Sequence, residues 1–432
     1  MPEKLTPTER ISARRKKSIP ATTVIGSYPL FISGKQLEQY QNNFSEDIED
    51  PVLPTIQLAV RDFISAGIEY PSTGQTRDSF IRLFLDPSKV EGVKHHGSEN
   101  LVVGKLKRKE PIRLPDVEYT RKLIPSYYGF KEPVTDPYTL ARNCRIVGST
   151  YMDVKELTYA IAHEIVKPEL ESIQEHVDYI QLDAPFFSFE PFKEYIKDLY
   201  AEMLSGIKVP IVLHVCGDSF SVFSELTKLN VDVLSLDFTY SDKLLEEVAM
   251  RSFDQDIGVG CVTTGNPVVE SVKSIADLIQ RVASKIGESK IRFVHPACGE
   301  RNLPLDVAYQ KNVNLTLARN EVFFGPPKNA RSVSFNESDY DPNGYFLIQI
   351  DEQGQQIVVA FNTYQNVPIF RVQSASGEKL ISAIVDSKIL SDTEPGKRHL
   401  AYVGYEIGKA ETALKNKVAY RQDKPLNIPG IF

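Results

Sequence analysis

The 432-residue chain contains no tryptophan, only four cysteines, four methionines and seven histidines. Four thiols in so long a chain do not make a disulfide framework, so they point to a reducing, cytoplasmic setting and stay free for other chemistry. No apolar stretch approaches the roughly 18–20 residues that span a bilayer, which argues against a membrane partner. A basic surplus is missing too. Lys and Arg number 50 against 57 Asp and Glu, a net charge of -7 that gives nucleic acid no footing. The polar segment 1–19 lacks the apolar centre of a signal peptide. Its run Arg14-Arg-Lys-Lys17 reads as part of a solvated terminus.

What the chain does have is rhythm. Eight apolar, β-branched runs read as strands: Thr22–Ser27, Gly67–Ser72, Cys144–Thr150, Tyr179–Ala184, Pro210–Cys216, Val231–Phe238, Ile257–Thr263 and Ile291–Cys298. Most are continuous rather than alternating, as parallel strands covered on both faces require. Segments with helical period lie between them, among them Asp153–His176, Pro191–Leu204, Ser241–Arg251 and Val269–Gly287. Strand and helix alternating through about 300 residues predict an α/β fold, a (β/α)8 TIM barrel over residues 20–328, with an open doubly wound sheet as the alternative. The second unit is unusually long, so an insertion at about 86–140, including Lys89–Arg113, is expected over the barrel mouth. After a polar stretch, Arg331–Tyr340, a smaller α+β domain is expected over 340–432. Its strands would be Gly344–Ile350, Gln356–Asn362 and Val367–Gln373, and its helix Arg398–Leu414.

Barrel chemistry gathers at the C-terminal ends of the strands. Two of these runs end in a cysteine followed by glycine, at His214-Val-Cys216-Gly and at His295-Pro-Ala-Cys298-Gly. Residues two apart on a strand point the same way, so His214 and Cys216 can share one ion. Asp237 ends an intermediate strand. Together His214, Cys216, Asp237 and Cys298 offer an imidazole, two thiolates and a carboxylate, a donor set suited to Zn2+. The hard carboxylate is the ligand that an incoming thiol displaces most readily, which suits a zinc that activates a second thiol. Cys261 reads as a packing residue, and Cys144 lies at the wrong end of its strand. His295, mid-strand, reads as a core or outer-sphere histidine.

These segments resemble the catalytic barrel of cobalamin-independent methionine synthase. The similar motifs are Thr22-Thr-Val-Ile-Gly-Ser-Tyr-Pro29, Ile180-Gln-Leu-Asp-Ala-Pro185, Leu213-His-Val-Cys-Gly217, Asp232-Val-Leu-Ser-Leu-Asp-Phe-Thr-Tyr-Ser-Asp242 and His295-Pro-Ala-Cys-Gly-Glu300. The likeness covers roughly residues 20–325 and has the form of the short core, without the additional N-terminal barrel of the folate-using enzymes. It implies zinc on the same four residues, although Asp237 is one methylene shorter than the family's Glu. Homocysteine is the implied substrate, with Ile25 and Ser27 at its carboxylate and Asp183 at its ammonium. Gln75 stands where the family often has Glu, and an amide accepts a hydrogen bond but carries no charge. Asp183 and Asp237 are thus the expected catalytic carboxylates.

The stretch Gly258-Val-Gly-Cys-Val-Thr-Thr-Gly-Asn-Pro267 has no histidine where the folate-using enzymes carry one to protonate the departing folate. That absence predicts a methylcorrinoid or corrinoid carrier protein as methyl donor, with a methyl-pterin as the second choice. The C-terminal segment is similar to small domains of archaeal one-carbon and pterin enzymes; His399 in it reads as a solvent-facing helix residue rather than a corrinoid contact. The reaction expected is zinc-dependent methyl transfer to homocysteine. The alternatives are methylcobamide-dependent methyl transfer to another thiol such as coenzyme M, a folate- or pterin-dependent methionine synthase, and a non-catalytic zinc-binding barrel. The last draws on Gln75, Ala184 and Asp237.

Overall fold

A computed structural model describes residues 19–29, 50, 52–126 and 128–324, together with the backbone of the strands lying between 332 and 384. Up to residue 300 its strands are β1 (Ala21–Thr22), β2 (Val90–His96), β3 (Glu99–Arg108), β4 (Lys131–Thr135), β5 (Cys144–Ile146), β6 (Tyr179–Asp183), β7 (Ile211–Val215), β8 (Val233–Asp237), β9 (Asp256–Val262) and β10 (Ile291–Pro296). Seven form one parallel sheet in the order β1-β10-β9-β8-β7-β6-β4. The gap between β4 and β1 is closed by the extended segment 68–72. On one side Glu69 and Tyr70 donate to Thr22 O at 3.1 and 3.0 Å; on the other, Gly129 donates to Glu69 O at 2.8 Å and Lys131 to Pro71 O at 3.0 Å. Pro71 has no N–H to give, which keeps this stave, the second in chain order, irregular. The expected (β/α)8 barrel is therefore the architecture.

One stave differs from expectation. Cys144–Thr150 is not a barrel strand: its first three residues form β5, which pairs with β3 in a separate three-stranded sheet with β2. The third stave is β4, so the barrel reclaims part of the segment read as an insertion at about 86–140. Lys131-Glu-Pro-Val-Thr135 looks like a polar loop, yet all five residues are buried. Burial of its charges is possible because each finds a distant partner. Lys131 donates to Gln181, and Glu132 accepts from Arg113 Nε at 2.9 Å and Thr73 Oγ1 at 3.1 Å. Arg113, itself fully buried, also reaches Asp116 at 2.6 Å. Arg77 joins the same Asp116, tying down the turn that follows the segment 68–72.

Helices cover the outside of the sheet. The segment expected over Asp153–His176 runs from Val154 to Ile173, with one wider turn at Ala162–Val166 just before Lys167-Pro168. Pro168 lacks a helical donor, and a widened turn accommodates that loss. Helix Val272–Ile286 is capped by Ser271, whose side chain accepts from Ser274 N, and it buries Ile275, Ala276, Ile279, Val282 and Ala283. That spacing is the apolar stripe of an amphipathic helix. No helix among the described residues is long and apolar enough to cross a membrane.

Inside the barrel, side chains stack in layers. The floor is Tyr70, Tyr179, Phe293, Val212 and Val233. Its three rings meet edge-on at 5.0–5.5 Å, a favoured aromatic geometry. With a period of two, the next residues inward are Gln181, His214, Ser235 and His295, and above them Asp183, Cys216 and Asp237. An apolar plug thus supports a polar middle layer, which in turn carries the mouth.

After the barrel, β11 (Ser332–Val333), β12 (Tyr345–Glu352), β13 (Gln355–Tyr364), β14 (Val367–Ser374) and β15 (Leu380–Ile384) form an antiparallel meander in chain order. The expected helix Arg398–Leu414, His399 and segment 1–18 lie outside the described residues.

Candidate metal centre

His214 projects inward from β7. Cys216 follows β7 and Cys298 follows β10, at the same rim of the barrel. One ligand atom from each lies within 4.8 Å of the others. The imidazole of His214 is buried, and its Nε2 has no hydrogen-bond partner. A buried polar atom without a partner carries a desolvation cost of about 1–3 kcal/mol that a bound cation removes. Its other nitrogen, Nδ1, is held by Ser235, with the carbonyl oxygen at 3.2 Å and Oγ at 3.1 Å. Burial keeps His214 far below the ordinary imidazole range and brings His295 down to about 3, so both rings are neutral. The two thiols share a hydrogen bond that lowers Cys298 and raises Cys216, with Gly299 N–H adding to the pull on Cys298. One unprotonated imidazole nitrogen and two adjoining sulfurs, one already biased toward thiolate, fit a soft divalent cation.

Asp237, the fourth ligand expected, stands outside this cluster. It is 7% exposed and ends β8, but its Oδ1 accepts from Thr239 N at 2.9 Å and Thr239 Oγ1 at 2.6 Å. Burial raises its carboxyl above the ordinary range against those bonds. Cys261 packs beside His295, its sulfur 3.8 Å from the His295 carbonyl, and is not in the cluster. Cys144 lies away from the rim in the β2-β3-β5 sheet.

The residues expected to bind substrate converge on Gln181. Its amide nitrogen donates to Asp183 Oδ1 at 2.6 Å and to Ile25 O at 2.7 Å, while its oxygen accepts from Lys131. Burial raises the Asp183 carboxyl and lowers the Lys131 ammonium, and each attracts the other toward its charged form. Gln75 is also buried beside Asp183, in the left-handed region at φ 45°. Ser27 approaches the turn after Cys298: Glu300 N donates to Ser27 O at 2.8 Å, and a Cβ on Gly299 would fall 2.2 Å from Ser27 Oγ.

Sequence reasoning passed over Lys131, Gln181 and Ser235. For Gln181 and Ser235 a signal existed, since each lies two residues before a singled-out carboxylate and shares its strand face. For Lys131 there was none. A cleft of about 370 Å3 opens between Phe238–Asp242 and the helix that begins at Val272; its lining includes none of His214, Cys216 and Cys298.

The model of the catalytic domain of the cobalamin-independent synthases matches residues 20–319, and a second family, PterinBD-DUF4346, matches 340–423. The methionine synthase of Methanocaldococcus jannaschii is 31% identical over 315 residues, 69% of this chain and 97% of that protein. That of Methanothermobacter marburgensis is 30% identical over 311 residues, 69% of this chain and 99% of that protein. Among solved structures, a B12-independent methionine synthase from Shewanella sp. W3-18-1 in complex with selenomethionine superposes with a TM-score of 0.58 at 20% identity. It covers 70% of this chain and 98% of its own. At that identity the likeness speaks for the fold. The cobalamin-independent description stands against the methylcorrinoid or corrinoid carrier expected from the missing loop histidine.

Proposed function

The chain belongs to the cobalamin-independent methionine synthase family, whose members are methyltransferases, and on that premise we propose that it makes methionine by methyl transfer to homocysteine at a zinc centre. The observation that carries the zinc is the buried, unpartnered Nε2 of His214 set against two thiols. His214, Cys216 and Cys298 would hold the ion, with Asp237 completing the set when it leaves Thr239. Zinc bound there would supply the Lewis acidity that keeps a substrate thiol deprotonated near neutral pH.

The chain's own groups handle the rest of the substrate. Asp183 receives the ammonium, which the Gln75 amide oxygen can also accept from, while Ile25 and Ser27 flank the carboxylate. Holding both ends fixes the sulfur at the rim, converting a bimolecular displacement into an oriented one. The buried walls around Ile25, Gln75 and Asp183 keep water from the methyl group. In the displacement the new C–S bond forms as the donor's bond to the methyl carbon breaks, and the donor departs with that electron pair.

The donor class we assign is an N-methylated reduced pterin. It agrees with a cobalamin-independent barrel and with the name of the family matched by residues 340–423. Its departing nitrogen must gain a proton, which water at the open rim would supply, since the loop 258–267 offers no histidine for that task. The test is methionine formation by zinc-loaded protein given homocysteine with methyltetrahydrofolate, methyltetrahydropterin or methylcobalamin in parallel. Turnover with a pterin or folate supports the reading, and turnover with methylcobalamin alone overturns the donor. If none supports turnover while coenzyme M is methylated in place of homocysteine, the methionine reading itself falls.

A further inference from the structure

Between the metal centre and the apolar floor lies a chain of hydrogen bonds that the reaction above does not use. Ser235 on β8 and His295 on β10 are separated by strand β9, yet Ser235 Oγ lies 2.9 Å from His295 Nε2. They meet because β9 presents Gly258 between them. A Cβ at that position would fall 2.9 Å from His295 Nε2 and 3.2 Å from Ser235 Cα. Ser235 then continues to His214 Nδ1, and His295 Nδ1 ends the chain on Pro296 O at 2.8 Å.

Donor and acceptor roles along this chain follow from its far end. The Pro296 carbonyl can only accept, so His295 Nδ1 carries the hydrogen. In a neutral ring Nε2 is then an acceptor, and the Ser235 hydroxyl donates its one hydrogen to it. Toward His214, Ser235 therefore offers only acceptors, its Oγ and its carbonyl oxygen. His214 Nδ1 must carry the hydrogen, which leaves Nε2 bare on the side of Cys216 and Cys298.

We infer that His295 is a positioning residue: by drawing the Ser235 hydroxyl toward itself, it keeps that hydroxyl from competing with the Ser235 carbonyl for His214 Nδ1, and so holds His214 in the tautomer whose Nε2 faces the metal. The Ser235 hydroxyl is the reversible element. Deprived of His295, it can turn and donate to His214 Nδ1, moving the ring's hydrogen to Nε2, where it blocks a cation. Outer-sphere partners of metal-bound histidines commonly carry about 10–100-fold in metal affinity. The inference rests on the zinc reading above, but the tautomer can be read without metal.

Two measurements on the full chain test it: zinc affinity by competition with a chromophoric chelator, and imidazole 15N shifts of the metal-free protein. Wild type is expected to show His214 with hydrogen on Nδ1. His295→Leu is expected to bind zinc about 10-fold or more weakly and to show hydrogen on His214 Nε2. His295→Gln, which keeps an acceptor for the hydroxyl, should stay near wild type. Adding Ser235→Ala to His295→Leu should recover affinity, because the competing donor is gone. A merely structural role predicts the reverse, with the double variant weaker than either single one. Hydrogen on Nε2 in the wild type, or unchanged zinc affinity in a folded His295→Leu, overturns the inference. A wild type that binds no zinc but holds hydrogen on Nδ1 overturns the metal reading alone.

Discussion

Gln181 Nε2 lies 2.6 Å from Asp183 Oδ1, and the same nitrogen reaches Ile25 O at 2.7 Å. One amide thus fixes the carboxylate proposed for the ammonium end of homocysteine and the backbone beside its carboxylate. Gln181 is oriented in turn by Lys131, so the proposed substrate pocket is braced from within the barrel.

Replacing this amide should separate binding from chemistry. Gln181→Met removes a hydrogen bond to a charged group, worth about 1.5–3 kcal/mol, or roughly 10–100-fold. The expected result is a KM for homocysteine raised by that factor with kcat changed several-fold less, since uniform binding is what is lost. Lys131 loses its partner as well, so Tm should fall. Steady-state kinetics and a thermal melt check both; a lowered kcat at unchanged KM would remove Gln181 from the substrate site.

Ser27 can be tested through its neighbour. An alanine at Gly299 places a methyl group 2.2 Å from Ser27 Oγ, and the end of that side chain is what yields. The backbone bond from Glu300 N to Ser27 O can persist while the hydroxyl turns away. Gly299→Ala should therefore weaken homocysteine binding about 10-fold and lower Tm by only a few degrees. Equal loss with a thiol lacking the carboxylate would show that Ser27 does not serve that end of the substrate.

Asp62 makes stability depend on pH in an identifiable window. Burial pushes its carboxyl up to about 6, and Tyr28 OH donates to it at 3.0 Å. The folded state binds the proton more tightly than the unfolded chain, whose aspartate titrates near 3.9. Stability is therefore fully present below about pH 4, falls as pH rises through about 6, and levels off above. The whole effect is about 3 kcal/mol. Asp62→Asn should exceed wild type in denaturant stability at pH 8 by up to that amount, with the gap closing toward pH 4. A gap independent of pH would assign the gain to packing instead.

His214 and Cys216 were legible in the sequence because two residues on one strand share a face, and Cys298 because its run repeats the Cys-Gly ending. The barrel was legible from continuous apolar strands. The third stave was not, because Lys131 and Glu132 are tolerable in a strand only through partners 50 and 19 residues away, Gln181 and Arg113. Local pattern carries no information about such pairings. The irregular stave at 68–72 escaped that difficulty because its apolar run survives despite Pro71. Asp237 illustrates the opposite case: its place at a strand end was readable, but the two bonds that Thr239 makes to its oxygen depend on the turn geometry beyond the strand.

That turn decides how firmly Asp237 is held at rest. Two thiolates already neutralise a divalent cation, so a carboxylate adds charge that is not required, and here it has alternative donors in Thr239. A ligand with such an alternative is the one that exchanges. Asp237→Asn should therefore retain close to one zinc per chain, with affinity reduced less than about 10-fold, whereas Cys298→Ser should lose most of the metal. Thr239→Val removes the 2.6 Å hydroxyl bond and loosens the carboxylate, which keeps the backbone bond from Thr239 N. It should tighten zinc while slowing turnover, because an incoming thiol then displaces a better-seated oxygen. X-ray absorption on the zinc-loaded variants would show the oxygen shell strengthen in Thr239→Val and weaken in Asp237→Asn, where water would take the vacated position. If Asp237→Asn loses zinc as completely as Cys298→Ser, the carboxylate is a permanent ligand and the exchange argument fails.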